Sequence, residues 1–203
     1  MTEEISGLPT RRAALRLLDT VMRMGTPLDQ ATANATKGLS PPDRALAIAI
    51  AQETLRWSVD LDQLIDSKTK QPLPDDAKAR MVLRLALAQI LRLGTPAHAA
   101  IATALPLVDG GPRRLVHGVL GSLLRAEATL PDLPSLPEAV MMRWHPVWGE
   151  EMIAGAQAAL SEPPPLDLAL RDATATQAWA ERLGGVSLMP GHVRLPRGTA
   201  IEE

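Results

Sequence analysis

The sequence predicts a mainly all-α protein: a helical bundle over residues 1–128, followed by a small α+β segment. Three observations predict it. Alanine and leucine dominate the 203 residues, and both favour helices over sheets. Apolar residues recur at helical spacing from about Leu8 to Ala126, interrupted at intervals by Gly and Pro. Past Thr129 to Pro137, which holds three prolines, the pattern changes to short helical stretches mixed with strand-like alternation.

The elements follow in order. A first helix is expected from about Leu8 to Arg23, with Leu15, Leu18 and Met22 on its apolar face, Thr10 as its cap and Gly25 as its terminator. Thr26-Pro27-Leu28-Asp29 starts a second helix, which Gly38 ends. Ser40-Pro41-Pro42-Asp43 opens a third, whose apolar face runs on through Trp57 to Ile65 with a break near Ser58. Asp75 and Asp76 are placed at the positive end of a long helix reaching Leu93, with Met81, Val82, Leu85, Ile90 and Leu91 as its buried stripe. Two more helices span about Pro96–Leu107 and Pro112–Ala126, separated by Gly110-Gly111. These short connections describe a compact bundle. Residues 129–137 read as a Pro-rich linker. Residues 138–203 read as an α+β connector, with helices near 137–144, 149–161 and 174–183, and strands at 166–170, 186–189 and 192–195. About 40 residues after Pro165 hold little core, so this segment is expected to be incomplete.

Composition limits the chemistry. The chain has no cysteine, which excludes disulfides, thiolate metal sites and cysteine nucleophiles. The acidic, polar start is neither a secretory signal nor a basic transit peptide, and no apolar run approaches the roughly 20 residues that span a bilayer. A cytoplasmic protein without membrane contact is expected. There is no Phe and no Tyr, only four Trp, so Leu, Ile, Val, Met and Ala must build the core. The net charge of −2 hides a step: residues 1–128 carry sixteen Lys/Arg against thirteen Asp/Glu, and residues 129–203 carry five against ten. The step suggests two segments with different roles.

A set of short stretches then comes in a definite order: Arg11-Arg12-Ala13-Ala14-Leu15-Arg16-Leu17-Leu18, Asp43-Arg44-Ala45-Leu46-Ala47, Leu55-Arg56 followed by Leu61-Asp62-Gln63-Leu64-Ile65, Ala86 to Leu91 running into Gly94-Thr95-Pro96, and Leu115-Val116-His117-Gly118-Val119-Leu120. In this order they resemble the NusB-like RNA-binding domain. The continuation, Pro137 to Trp148 and then Pro164-Pro165-Leu166-Asp167-Leu168, resembles the connector of the RsmB (Sun/Fmu) family of ribosomal RNA cytosine-5 methyltransferases. In that family a methyltransferase domain follows the connector. The resemblance therefore implies that this chain is truncated before its catalytic domain, and that S-adenosylmethionine serves the parent enzyme and not this chain. It implies ribosomal RNA and the missing methyltransferase domain as partners, with ribosomal or transcription proteins as further ones. A protein-interaction or antitermination module is the alternative. His117 stands where the family more often has Asn, so any role of that Asn does not carry over.

No catalytic constellation is visible. Cytosine-5 methylation needs an activated thiolate, which this chain lacks. The glycines Gly110-Gly111 and Gly118/Gly121 do not follow a strand, as a nucleotide-binding turn requires; Gly118 and Gly121 are expected to allow close helix packing. His98, His117, His145 and His192 share no ligand spacing, and no metal or cofactor site is expected. Arginines remain. Arg11, Arg12 and Arg16 sit together near the start of the first helix. Arg113 and Arg114 begin the last helix of the bundle, where free backbone N–H groups also favour phosphate, and Arg56 lies near a helix break. Planar guanidinium forks suit phosphate. These six are the candidate RNA-binding residues, and binding through them is expected to be electrostatic and salt-sensitive.

Overall fold

The computed structural model describes residues 5–196 and Thr199. The chain forms two compact units, one ending at Arg143 and one starting at Trp144. The first is all helical. Its elements are α1 (Leu8–Met24), α2 (Leu28–Ala35), α3 (Pro41–Arg56), α4 (Ser58–Asp66), α5 (Lys78–Leu91), α6 (Ala97–Ala104), a 3-10 turn at Leu105–Leu107, and α7 (Gly110–Arg125). Helix α1 packs on α2 and α3, and α5 packs on α1, α3, α4, α6 and α7.

Helix α5 is the centre of this bundle. Every residue from Ala79 to Gln89 is buried, wider than the single stripe expected from its sequence. A helix buried on all sides is normally apolar all round, yet this one carries Arg80, Arg84 and Gln89. Each polar group is satisfied. Arg84 forks onto Asp62 of α4, Nε to Oδ1 at 2.7 Å and Nη2 to Oδ2 at 2.6 Å. Arg80 reaches Asp66 at 2.6 Å, Asp62 at 2.9 Å and the Leu73 carbonyl. Carboxylates four residues apart thus face guanidiniums four residues apart, and the pairing of Arg80 with Asp66 and Arg84 with Asp62 sets α4 antiparallel to α5. Burial depresses the Arg80 guanidinium, but the hydrogen bonds it donates to Asp62 and Asp66, with their charges, outweigh this and hold Arg80 above its ordinary value.

Several boundaries differ from the sequence reading for local reasons. Gly7, with φ 76°, precedes α1, and Pro9 occupies its first turn, so Thr10 lies inside the helix. There its hydroxyl donates to Asp43 at 2.9 Å. Ser40 does cap α3, accepting from the Asp43 N–H. Asp75 and Asp76 fall in a turn before α5, whose cap position is Ala77. Gly110-Gly111-Pro112 opens α7 and does not separate helices. An added Cβ at Gly118 would meet nothing within 4 Å, and at Gly121 only the flexible Arg125 side chain at 3.3 Å; neither glycine seats a neighbouring helix. The Pro-rich stretch is anchored to the bundle: buried Asp60 accepts from the Ser135 N–H at 2.9 Å and its hydroxyl at 2.7 Å. The break at Ser58 falls after Trp57, whose ring is buried under the Arg92 guanidinium at 4.5 Å.

Helix α8 (Glu138–Leu160) is interrupted at Gly149, where φ is 73° and ψ is −177°, a conformation essentially restricted to glycine. The second unit continues with β1 (Leu166–Ala169), a 3-10 turn at Ala173–Ala175, α9 (Thr176–Leu183) and β2 (His192–Leu195). The strands pair antiparallel, with Asp167 opposite Arg194. Residues 186–189 form no strand; Val186 makes an isolated bridge to Arg194. Gly185 lies so close to this hairpin that a Cβ would sit 2.7 Å from the Arg194 carbonyl oxygen. Ala180, Val193 and Leu195 form the small core beneath, and Trp148 and Trp179 are exposed.

Two outcomes follow from these ion pairs. Asp62→Ala leaves buried Arg84 without its carboxylate and should lower bundle stability by about 3–5 kcal/mol in urea unfolding; a loss under 1 kcal/mol would contradict the assigned role. In the hairpin, the hydrogen bond from Arg194 holds the Asp167 carboxyl down at about 2. Because the folded value is depressed, the pair's contribution is fully present above the ordinary value of 3.8 and is lost as pH falls through about 2. Acid titration followed by the Arg194 side-chain NMR signals should show this loss, and Asp167→Asn should abolish it.

Candidate nucleic-acid interface

The six arginines separate into two groups by their surroundings. Arg11 is half-buried and faces inward. Its Nε donates to Gln89 Oε1 at 2.8 Å and an Nη donates to the Gly7 carbonyl at 3.4 Å. Burial pushes Arg11 down from its ordinary value, with neighbouring Asp43 opposing the shift. Arg56 is paired with Glu53 at 2.7 Å, and Glu53 also accepts from Arg92 at 3.1 Å. Both arginines therefore serve the fold: Arg11 ties α1 to α5, and Arg56 joins the cluster around Trp57.

Arg12, Arg16, Arg113 and Arg114 are exposed. Arg12 and Arg16 are one helical turn apart on α1, and the stripe continues through Asp19 to Arg23, which pair at 2.9 Å. Arg16 also donates to the Ala35 carbonyl at 2.7 Å, which steadies its guanidinium beside α2. Arg113 and Arg114 lie in the opening turns of α7 and have no ion-pair partner among the described residues.

The α1 stripe lines a groove of about 440 Å³. Leu15, Met81 and Leu107 supply its apolar floor, and Lys78, Asp76 and Asp109 complete its walls. Asp109 directly precedes α7, so the groove runs from the α1 arginines to the root of the helix bearing Arg113 and Arg114. Arg23 and Lys78 were not among the sequence-derived candidates. The spacing of Arg23, seven residues after Arg16, was a legible signal; that of Lys78 was not, because it depends on how α5 packs beside α1.

No group of three metal-ligating side chains occurs among the described residues. The glycine pairs do not fit a nucleotide-type cofactor: Gly110-Gly111 follows a 3-10 turn and Gly184-Gly185 follows a helix, whereas such a turn links a strand to a helix. No helix among the described residues is long and apolar enough to cross a membrane.

An all-helical bundle around a central helix buried from Ala79 to Gln89, with a groove of arginines and acids on one side, defines the class. Residues 8–125 match the NusB family, and the chain belongs to that family. It is 33% identical over 122 residues to ribosomal RNA small subunit methyltransferase B of Xanthomonas campestris pv. campestris, an alignment covering 59% of this chain and 28% of that relative. Less than a third of that relative's length is therefore matched. A chain in the structure described as "Crystal Structure of a Plectonemic RNA Supercoil" shares the fold, with a TM-score of 0.54 and 18% identity, over 59% of this chain and 94% of that one.

Arg11→Ala strands the Gln89 carbonyl oxygen in the core. It should cost about 1–3 kcal/mol of stability, read as a lowered urea midpoint with an unchanged helical far-UV spectrum.

Proposed function

We propose that the helical unit binds ribosomal RNA and positions it for a methyltransferase domain that uses S-adenosylmethionine to methylate cytosine at carbon 5. The observation that carries this reading is the groove itself. Arg12, Arg16 and Arg23 form one wall, and Asp109 at its other end leads into α7 with Arg113 and Arg114. Exposed guanidiniums on α1 and at the start of α7 are the groups we assign to phosphate contacts along a strand. The relationship to a ribosomal RNA methyltransferase supports the choice of ribosomal RNA over other polyanions.

The chain's own residues would hold and position the RNA. Without a cysteine, this chain supplies no thiolate to add to the pyrimidine ring, so the methyl transfer belongs to the partner domain. The α7 opening offers backbone N–H groups beside Arg113 and Arg114, and these favour phosphate oxygens.

Binding of a single-stranded ribosomal RNA fragment should weaken steeply with salt. Each phosphate contact on a single strand contributes about 0.7 to the slope of log affinity against log salt. Replacing Arg12, Arg16, Arg113 and Arg114 together by Ala should reduce that slope by roughly 3, with urea unfolding run alongside to confirm a folded protein. An unchanged slope in the folded variant would refute the assignment.

A further inference from the structure

We propose that the groove between α1 and the start of α7 takes one unstacked base of the RNA, and selects bases carrying an exocyclic amine over uracil. This rests on the RNA-binding reading above and specifies what the groove does within it. Below the exposed arginines at its rim, which can meet phosphates, the interior of the groove is unsuited to phosphate. Arg12, Arg16, Arg23 and Lys78 are interleaved with Asp19, Asp76 and Asp109, so a phosphate drawn in would meet three carboxylates. Its volume of about 440 Å³ lies within the roughly 300–1,000 Å³ typical of small-molecule pockets, and its floor is apolar: half-buried Leu15, with the nearly buried Met81 and Leu107 beside it. An apolar floor with cations at its edge suits a base turned inward while its phosphates stay at the rim.

The carboxylates give the selectivity. Asp19 is engaged by Arg23. Asp109 occupies the cap position of α7 but makes no side-chain capping bond, although acids at that position usually accept from the helix N–H groups. Asp76 likewise caps nothing, because the cap position of α5 is Ala77. Both acids are exposed and have no hydrogen-bond partner among the described residues. An ionised carboxylate only accepts hydrogen bonds. The amino groups of cytosine, adenine and guanine are donors that match it, whereas the corresponding position of uracil is a carbonyl that repels it. With no Phe or Tyr in the chain, an aliphatic floor and guanidinium faces replace the aromatic platform usual at such sites.

The test compares fluorescent oligocytidine and oligouridine of equal length at fixed salt, with inorganic polyphosphate as a probe without bases. The expected result is a preference for oligocytidine of roughly tenfold. It should be accompanied by ring-current shifts of the Leu15 and Leu107 methyl signals that polyphosphate does not produce. Asp76→Ala with Asp109→Ala, both at exposed positions, should remove the preference while raising the affinity for oligouridine, because two repelling charges are gone. Equal, salt-dependent affinities for the two oligonucleotides without methyl shifts would overturn the base pocket and leave RNA binding standing. Absence of salt-dependent binding to either would overturn both.

Discussion

The bundle depends on two guanidiniums placed where apolar side chains would be expected. Arg80 and Arg84 are about 2% exposed on a helix that is buried on every side. A buried cation is costly unless its partners are complete. Here they are: Asp62 and Asp66 at matching spacing, the Leu73 and Asp75 carbonyls, and the sulfurs of Met22 and Met81. One network thus fixes α4, the loop after it, α5 and the end of α1. Hydrophobic residues could fill the same volume, but would not set the register of α4 against α5. The ion pairs do, because only the antiparallel crossing satisfies both guanidiniums.

That network also positions the groove. Met81, one residue after Arg80, forms its floor, and Lys78 and Asp76 its wall. Arg11 of α1 donates to Gln89 of α5, which fixes the rotation of α1 about its own axis. With Arg11 turned inward, Arg12 and Arg16 line the groove. The adjacent arginines in the sequence pair Arg11-Arg12 therefore do different work. One orients the helix, and the other lines the surface that this orientation creates.

Much of this was legible in the sequence, and what was not has a physical reason. Helix existence followed from periodicity and from Gly and Pro punctuation: six helical runs were read, and the break expected near Ser58 in the third is where α3 gives way to α4. Caps were read less well. Thr10 and Asp75-Asp76 have the right chemistry for helix starts, but Gly7 and Ala77 occupy the cap positions, and Thr10 instead bonds Asp43 across to α3. The buried arginines were missed because periodicity treats charge as exposed. The pairing of Asp62/Asp66 with Arg80/Arg84 was nevertheless present as two matched intervals of four. Among the six candidate arginines, the sequence could not separate Arg11 and Arg56 from the rest. Their partners Gln89 and Glu53 are brought to them only by packing, or by a single helical turn that many surface pairs share.

The near-neutral charge of the helical unit is no argument against RNA recognition, once the positions of the charges are known. A uniformly basic face attracts any polyanion and distinguishes none. In the proposed base pocket the cations would provide attraction, while Asp76 and Asp109 would exclude ligands that present acceptors. The acids that dilute the net charge are thus the groups able to give discrimination. The absence of Phe and Tyr acts in the same direction. Stacking on aromatic rings tolerates every base, whereas a floor of Leu15, Met81 and Leu107 leaves edge contacts to decide between them. On that proposal selectivity would rest on two exposed carboxylates, with Met81 of the buried network beneath them.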